Sequence, residues 1–228
     1  MERLVLASAR YFTRIPLVPN GQPRPSDTPN HWTVPKARAV LGKSGPILDF
    51  PLLDILRMIY DAAGVSKIYV IAHSMGNQIV VDALAHAQDA GIRISLSELV
   101  LAAPDVDSDV FRSMVDRLRV AAKGLTLYVS SADKAMLASR IKAGGVPRAG
   151  DVPASGPLIA QGIDTIDVTA IGDDLFGLNH DEYSSNRSLI DDIGRILLTS
   201  TRPPNVRSPQ LRRVPEGSEH PLFWRYTQ

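Results

Sequence analysis

The sequence predicts an α/β protein: a mostly parallel sheet with helices on both faces. Three observations lead there. Between about Leu52 and Leu198, short apolar runs rich in β-branched residues alternate with longer stretches whose apolar positions recur every three or four residues. The chain has 228 residues, 44% of them hydrophobic, which is enough to bury one sizeable core. Within "KIYVIAHSMGNQIVVDALAHA", Lys67 to Ala87, the pattern changes from strand to helix at a single serine.

The chain divides into an irregular arm (1–50), a core (51–200) and an extended tail rich in proline and arginine (201–228). Pro16, Pro19, Pro23, Pro25, Pro29, Pro35 and Pro46 break regular structure in the arm. The opening "MERLVLASARYF" is interrupted by Arg10 before a secretory core can form, so it is read as uncleaved. In the core, Leu52, Leu56, Ile59 and Ala63 line one helix face, and Gly64 is a plausible stop. Ile68 to Ile71 form a strand, and Ile79, Val80, Ala83, Leu84 and Ala87 lie on one side of the helix that follows. A strand is expected in "ELVLAAPDVD", then a helix carrying Val110, Phe111, Met114, Val115 and Leu118. "LTLYVSSAD" reads as a strand ending at Asp133, "KAMLASRIKA" as a helix, and "IDTIDV" as the last strand. Leu189, Ile190, Ile193, Ile196 and Leu197 mark the closing helix. The tail, with Arg202, Arg207, Arg212, Arg213 and Arg225, is expected to be weakly ordered.

Charge and composition narrow the function. Lys+Arg 25 against Asp+Glu 24 leaves a formal charge of +1, so no overall field favours nucleic acid or an anionic membrane. The absence of cysteine excludes thiol catalysis, thiolate metal sites and disulfides. No apolar run is long enough to span a bilayer, and a soluble, cytoplasmic protein is expected.

"AHSMG" has the form small-x-Ser-x-Gly, in which Ala72 and Gly76 leave room for a sharp turn that thrusts Ser74 out above the sheet. The N–H of Met75 would lie at the helix start, aimed at the oxyanion of a tetrahedral intermediate. A five-residue pattern with three loose constraints often arises by chance, but a strand before and a helix after are the context this elbow requires. A serine nucleophile needs a base, and there are five histidines. His31 lies in the arm and His220 in the tail. His86 is too far along the helix, and His73 points away from a tight elbow. His180, in the loop "GLNHDEYSSN" after the last core strand, remains. The acid belongs between serine and histidine. Asp133, at the end of the strand two beyond the serine strand, is preferred over Asp105 in "APDVD", although capping the next helix is an ordinary role for Asp133.

From about Leu52 to Leu198 the chain resembles a bacterial family of α/β-hydrolase-fold proteins of the esterase/lipase superfamily with no assigned substrate. The resemblance rests on "IAHSMGNQIVVDAL", "LVLAAPDVDSDVF", "TLYVSSADKAMLASR", "VPRAGD", "GIDTIDVTAI" and "HDEYSSNRSLIDDI". It implies an α/β-hydrolase sheet with Ser74 as nucleophile, His180 as base and Asp133 as acid. The first fifty residues depart from the family's pattern. They lack the His-Gly segment that supplies a second oxyanion N–H, and Gly42 and Gly45 are the nearby glycines.

Two functions follow. One is a serine hydrolase acting on a small ester or related acyl substrate through an acyl-enzyme, without metal or organic cofactor. The other is a truncated, non-catalytic remnant or binding module. With the family's preceding strands missing, Lys67 to Ala72 would present an unpaired edge. Either Arg3 to Ser8 come in as a substitute strand, or a second copy pairs near Tyr69 as a homodimer.

Overall fold

The computed structural model describes residues 2–7, 12–17, 30–32, 51–61, 65–133, 136, 139–141, 144–172 and 187–227. Among them are nine strands: β1 (Glu2–Ala7), β2 (Phe12–Leu17), β3 (Asn30–Trp32), β4 (Lys67–His73), β5 (Leu96–Ala102), β6 (Ala122–Val129), β7 (Asp164–Asp167), β8 (Leu211–Val214) and β9 (Phe223–Tyr226). They form one sheet in the order β3-β2-β1-β4-β5-β6-β7-β9-β8. From β1 through β4, β5, β6 and β7 to β9 every pairing is parallel, while β2, β3 and β8 are antiparallel additions at the two edges. The helices are α1 (Pro51–Asp61), α2 (Gly76–Asp89), α3 (Ser108–Ala121), α4 (Arg187–Thr199) and α5 (Pro204–Arg207). The α/β architecture expected from the alternation is therefore present. Ala63 and Gly64 lie outside the described residues.

Both faces of the parallel strands are covered, which explains their near-continuous hydrophobic runs. Ile68, Val70 and Ala72 of β4, with Leu99 and Leu101 of β5 and Leu125, Leu127 and Val129 of β6, face a layer formed by α1, α2 and α3. The intervening positions, including Val100 and Tyr128, face Leu189, Ile193 and Ile196 of α4 together with Leu211, Trp224 and Tyr226.

The amino-terminal segment settles how the edge of β4 is satisfied. Residues 2–7 lie parallel to β4 with Arg3 opposite Ile68, Val5 opposite Val70 and Ala7 opposite Ala72. The substitute strand is thus intrachain, and the row near Tyr69 that would have received a second copy is occupied. Three strands fall within residues 1–50, the stretch read as an irregular arm. Proline did not prevent this: β3 pairs only with Phe12 to Arg14, so Pro16 falls where β2 has no outer neighbour.

The tail also differs from expectation. Instead of an extended stretch it holds α5, β8 and β9, and β9 extends the parallel ladder beyond β7. The physical reason is that its arginines meet acids on the core. Arg202 reaches Glu98 and Asp164 at the amino ends of β5 and β7. Arg207 pairs with Asp192 of α4 at 2.9 Å, with both side chains almost fully buried. Arg225 pairs with Asp167 at 3.1 Å, and the Arg213 guanidinium lies over the Trp224 ring. Gly124 makes room for the first of these clusters, because a Cβ there would stand 2.1 Å from Glu98 Oε2.

The Tyr128 hydroxyl donates to Asp192 at 2.5 Å inside the second cluster. Burial, then the charge of Asp192, pushes this phenol well above its ordinary range. The folded state therefore holds the proton more tightly than the unfolded chain does. That contribution is full below the unfolded pKa of about 10 and is lost as pH rises through the higher folded value. Tyr128→Phe is expected to cost about 1.5–3 kcal/mol at neutral pH. It should also flatten the fall in the urea midpoint above about pH 10; equal slopes for the two proteins would contradict the assignment. Removing residues 1–7 exposes the β4 edge, and size-exclusion chromatography should then show oligomers or aggregates. A well-behaved truncated monomer would count against that role for β1.

Candidate active site

The strand-to-helix reversal at Ser74 is the centre of the candidate site. β4 ends at His73, and α2 begins at Gly76 after a two-residue turn. Ser74 has φ 51°, the left-handed region that a non-glycine residue occupies at a cost of about 1–3 kcal/mol. Met75, 58% exposed, follows in right-handed helical geometry as the N-cap. Its N–H thus stands at the positive end of α2, above the carboxyl edge of the sheet.

Local hydrogen bonds hold this conformation. The Ser74 N–H donates to the Ala102 carbonyl at 3.0 Å, carrying the β4–β5 ladder into the turn. The Ser74 carbonyl accepts from the Asn77 N–H at 3.1 Å and the Asp105 N–H at 3.3 Å. The Asn77 side chain, fully buried, donates through Nδ2 to Ser74 O at 2.9 Å and to Ala102 O at 3.0 Å. Its Oδ1 has no partner among the described residues.

The neighbouring strand ends complete one wall. Ala103, after β5, is also left-handed at φ 42°. Segment 147–150 runs beside it: Ser108 N donates to Pro147 O, Ala149 N to Val106 O and Gly150 N to Pro104 O, while Gly150 O accepts from Ser130 N beyond β6. Gly150 is needed for this approach, because a Cβ would meet the Ala103 carbonyl carbon at 2.5 Å. A cavity of about 240 Å³ opens beside the segment, lined by Asp107, Arg112, Arg148, Asp151 and Leu158 among others. Asp107 caps α3 by accepting from the N–H groups of Asp109 and Val110. The Val110 and Asp109 N–H groups hold its carboxyl below the usual range.

Asp105 and Asp133 stand differently. The Asp105 carboxylate accepts from Ser139 Oγ at 2.6 Å, and Arg148 Nε lies 3.2 Å away, within ion-pair range but off the angle of a hydrogen bond. Asp133 is half-buried beyond the end of β6, which stops at Val129 rather than running on to Asp133. Its Oδ1 accepts from Met136 N at 3.0 Å, the capping role, and Oδ2 has no hydrogen-bond partner among the described residues. Two strand spacings, about 10 Å, separate the carboxyl ends of β4 and β6. His180 lies outside the described residues, as do Gly42 and Gly45. His73 ends β4 next to Ser74, whereas His31, His220 and His86 are placed away from the elbow. His31 is on β3, three strands from β4, and His220 is exposed between β8 and β9 at the opposite edge. His86 is in the last turn of α2, about 15 Å along the axis from Gly76.

Asn77, Arg148 and Gly150 were not singled out in the sequence. Asn77 carried a signal: it falls in phase with Val80, Val81 and Leu84, so a polar side chain stands on the buried stripe of α2. Arg148 and Gly150 had none, because their partners are distant in the chain.

Among the described residues no cluster of three or more His, Asp or Glu could hold a metal ion, and no helix is long and apolar enough to cross a membrane. Comparison with curated proteins and with solved structures found no match. Residues 50–201, two thirds of the chain, match the family model described as alpha/beta hydrolase of unknown function (DUF900). With the parallel sheet and the serine at its strand-to-helix elbow, this match places the chain in that α/β-hydrolase family.

Proposed function

We propose that the protein is a serine hydrolase that cleaves a small ester or related acyl bond through an acyl-enzyme. The observation that carries this reading is the left-handed Ser74 between β4 and α2, a costly conformation that sets the residue above the carboxyl edge of the sheet with the Met75 N–H beside it. Ser74 Oγ attacks the acyl carbon while His180 takes its proton, and the Met75 N–H stabilises the oxyanion. The tetrahedral intermediate collapses, and His180 passes the proton to the leaving alcohol. Water then attacks the acyl-enzyme, His180 accepts a proton from it, and that proton returns to Ser74 as the acid leaves.

Asp133 holds the imidazole and stabilises its cation in this reading. The support is its remaining carboxylate oxygen and its position two strands from Ser74, whereas Asp105 is engaged by Ser139 and Arg148. Substrate scope would be set by residues around the elbow, including the exposed Met75.

A fluorophosphonate probe should label the wild-type protein at one serine, and Ser74→Ala should abolish the labelling. Labelling that survives the substitution would place the nucleophile elsewhere, and no labelling of the wild type would favour a non-catalytic member of the family. In folded variants His180→Ala should eliminate acyl hydrolysis, and Asp133→Asn should lower kcat by about 10⁴-fold. A much larger loss in Asp105→Asn than in Asp133→Asn would transfer the acid role to Asp105.

A further inference from the structure

We infer that Asn77 is a positioning residue: its side-chain amide holds the nucleophile's backbone in the reactive turn. The inference rests on the serine-hydrolase reading of Ser74. Asn77 Nδ2 bridges two carbonyls that belong to different strands, Ser74 O at 2.9 Å beyond β4 and Ala102 O at 3.0 Å at the end of β5. Both partners can only accept, so the nitrogen must face them and the orientation of the amide is fixed by chemistry.

The bridge acts where the backbone is least inclined to stay. Ser74 at φ 51° would relax towards the common right-handed or extended regions unless its carbonyl direction were fixed. Two backbone donors also reach that oxygen, Asn77 N at 3.1 Å and Asp105 N at 3.3 Å. The Asp105 contact is the long one, and the Asn77 N–H bond belongs to any helix beginning there. Among the described residues, the Asn77 amide is the side-chain donor to this carbonyl. It ties the nucleophile to β5, so the turn and the neighbouring strand end share one support. The cavity-side residues Arg148 and Asp151 are already paired with Asp105 and Arg140.

The test is to solve crystal structures of the wild type and Asn77→Ala and to measure the second-order rate of fluorophosphonate labelling for both, with thermal unfolding as the check on folding. In the variant Ser74 should leave the left-handed region, and labelling should slow by about a hundredfold, as expected when a reacting group is displaced by roughly 1 Å. A variant in which Ser74 keeps φ near its present value overturns the inference whatever the rate, and so does a relaxed Ser74 with labelling within about twofold of wild type. If Asn77→Ala does not fold, Asn77→Asp keeps the side-chain volume while replacing the amide donors, and the same two readings apply. If the wild type itself is never labelled, the hydrolase reading fails. The conformation of Ser74 in the variant then decides the positioning role by itself.

Discussion

The carbonyl of Ser74 is where the local structure converges. It points the way that a left-handed residue requires, and the donors that reach it come from the first turn of α2 and from the chain leaving β5. Each of those segments is itself set by packing: α2 by its buried Val80, Val81 and Leu84, and the end of β5 by the approach of Gly150 to Ala103. A conformational cost of about 1–3 kcal/mol at one residue is therefore carried by contacts that stabilise the surrounding fold anyway.

A second organising feature is electrostatic and lies away from the elbow. Glu98, Asp164, Asp167 and Asp192 sit on β5, β7 and α4, and the arginines that match them come from the last thirty or so residues. Asp192 with Arg207 and Tyr128 is a buried network, while Arg225 with Asp167 is half exposed and contributes less. Arg195 adds a bond from α4 to the Arg207 carbonyl, so the backbone of the tail is held as well as its side chains.

Much of this was legible from local pattern. β4, α2, β5 and α3 announce themselves through period, and Ser74 stands at a change of period, because the physics of those elements is written in neighbouring residues. What was not legible depends on distant pairing. "RLVLA" looks like the start of an irregular arm until β4 offers it an edge, and a tail with five arginines looks solvated until the buried acids that receive them are placed. "FWRY" was too short and too close to charges to be read as a strand, yet it pairs with β7. Asp133 and Asp105 stayed open for the same reason, since Ser139 and Arg148, more than thirty residues along the chain, meet Asp105 only in the folded molecule.

The tail's arginines also separate two quantities that are easily equated, the stretch recognisable as a relative and the stretch able to fold. Residues 50–201 carry the family likeness, but a polypeptide cut to those limits would lose Arg202 and Arg207, the partners of Glu98 and Asp192. Breaking a buried pair such as Asp192 with Arg207 costs about 3–5 kcal/mol, against a total stability of about 5–15 kcal/mol for an ordinary domain. The same cut would open both flanks of the parallel ladder, at β4 and at β7. The least divisible unit of this molecule is therefore wider than its kinship, and the extra strands are integral to a hydrolase sheet whose own boundaries would not close it.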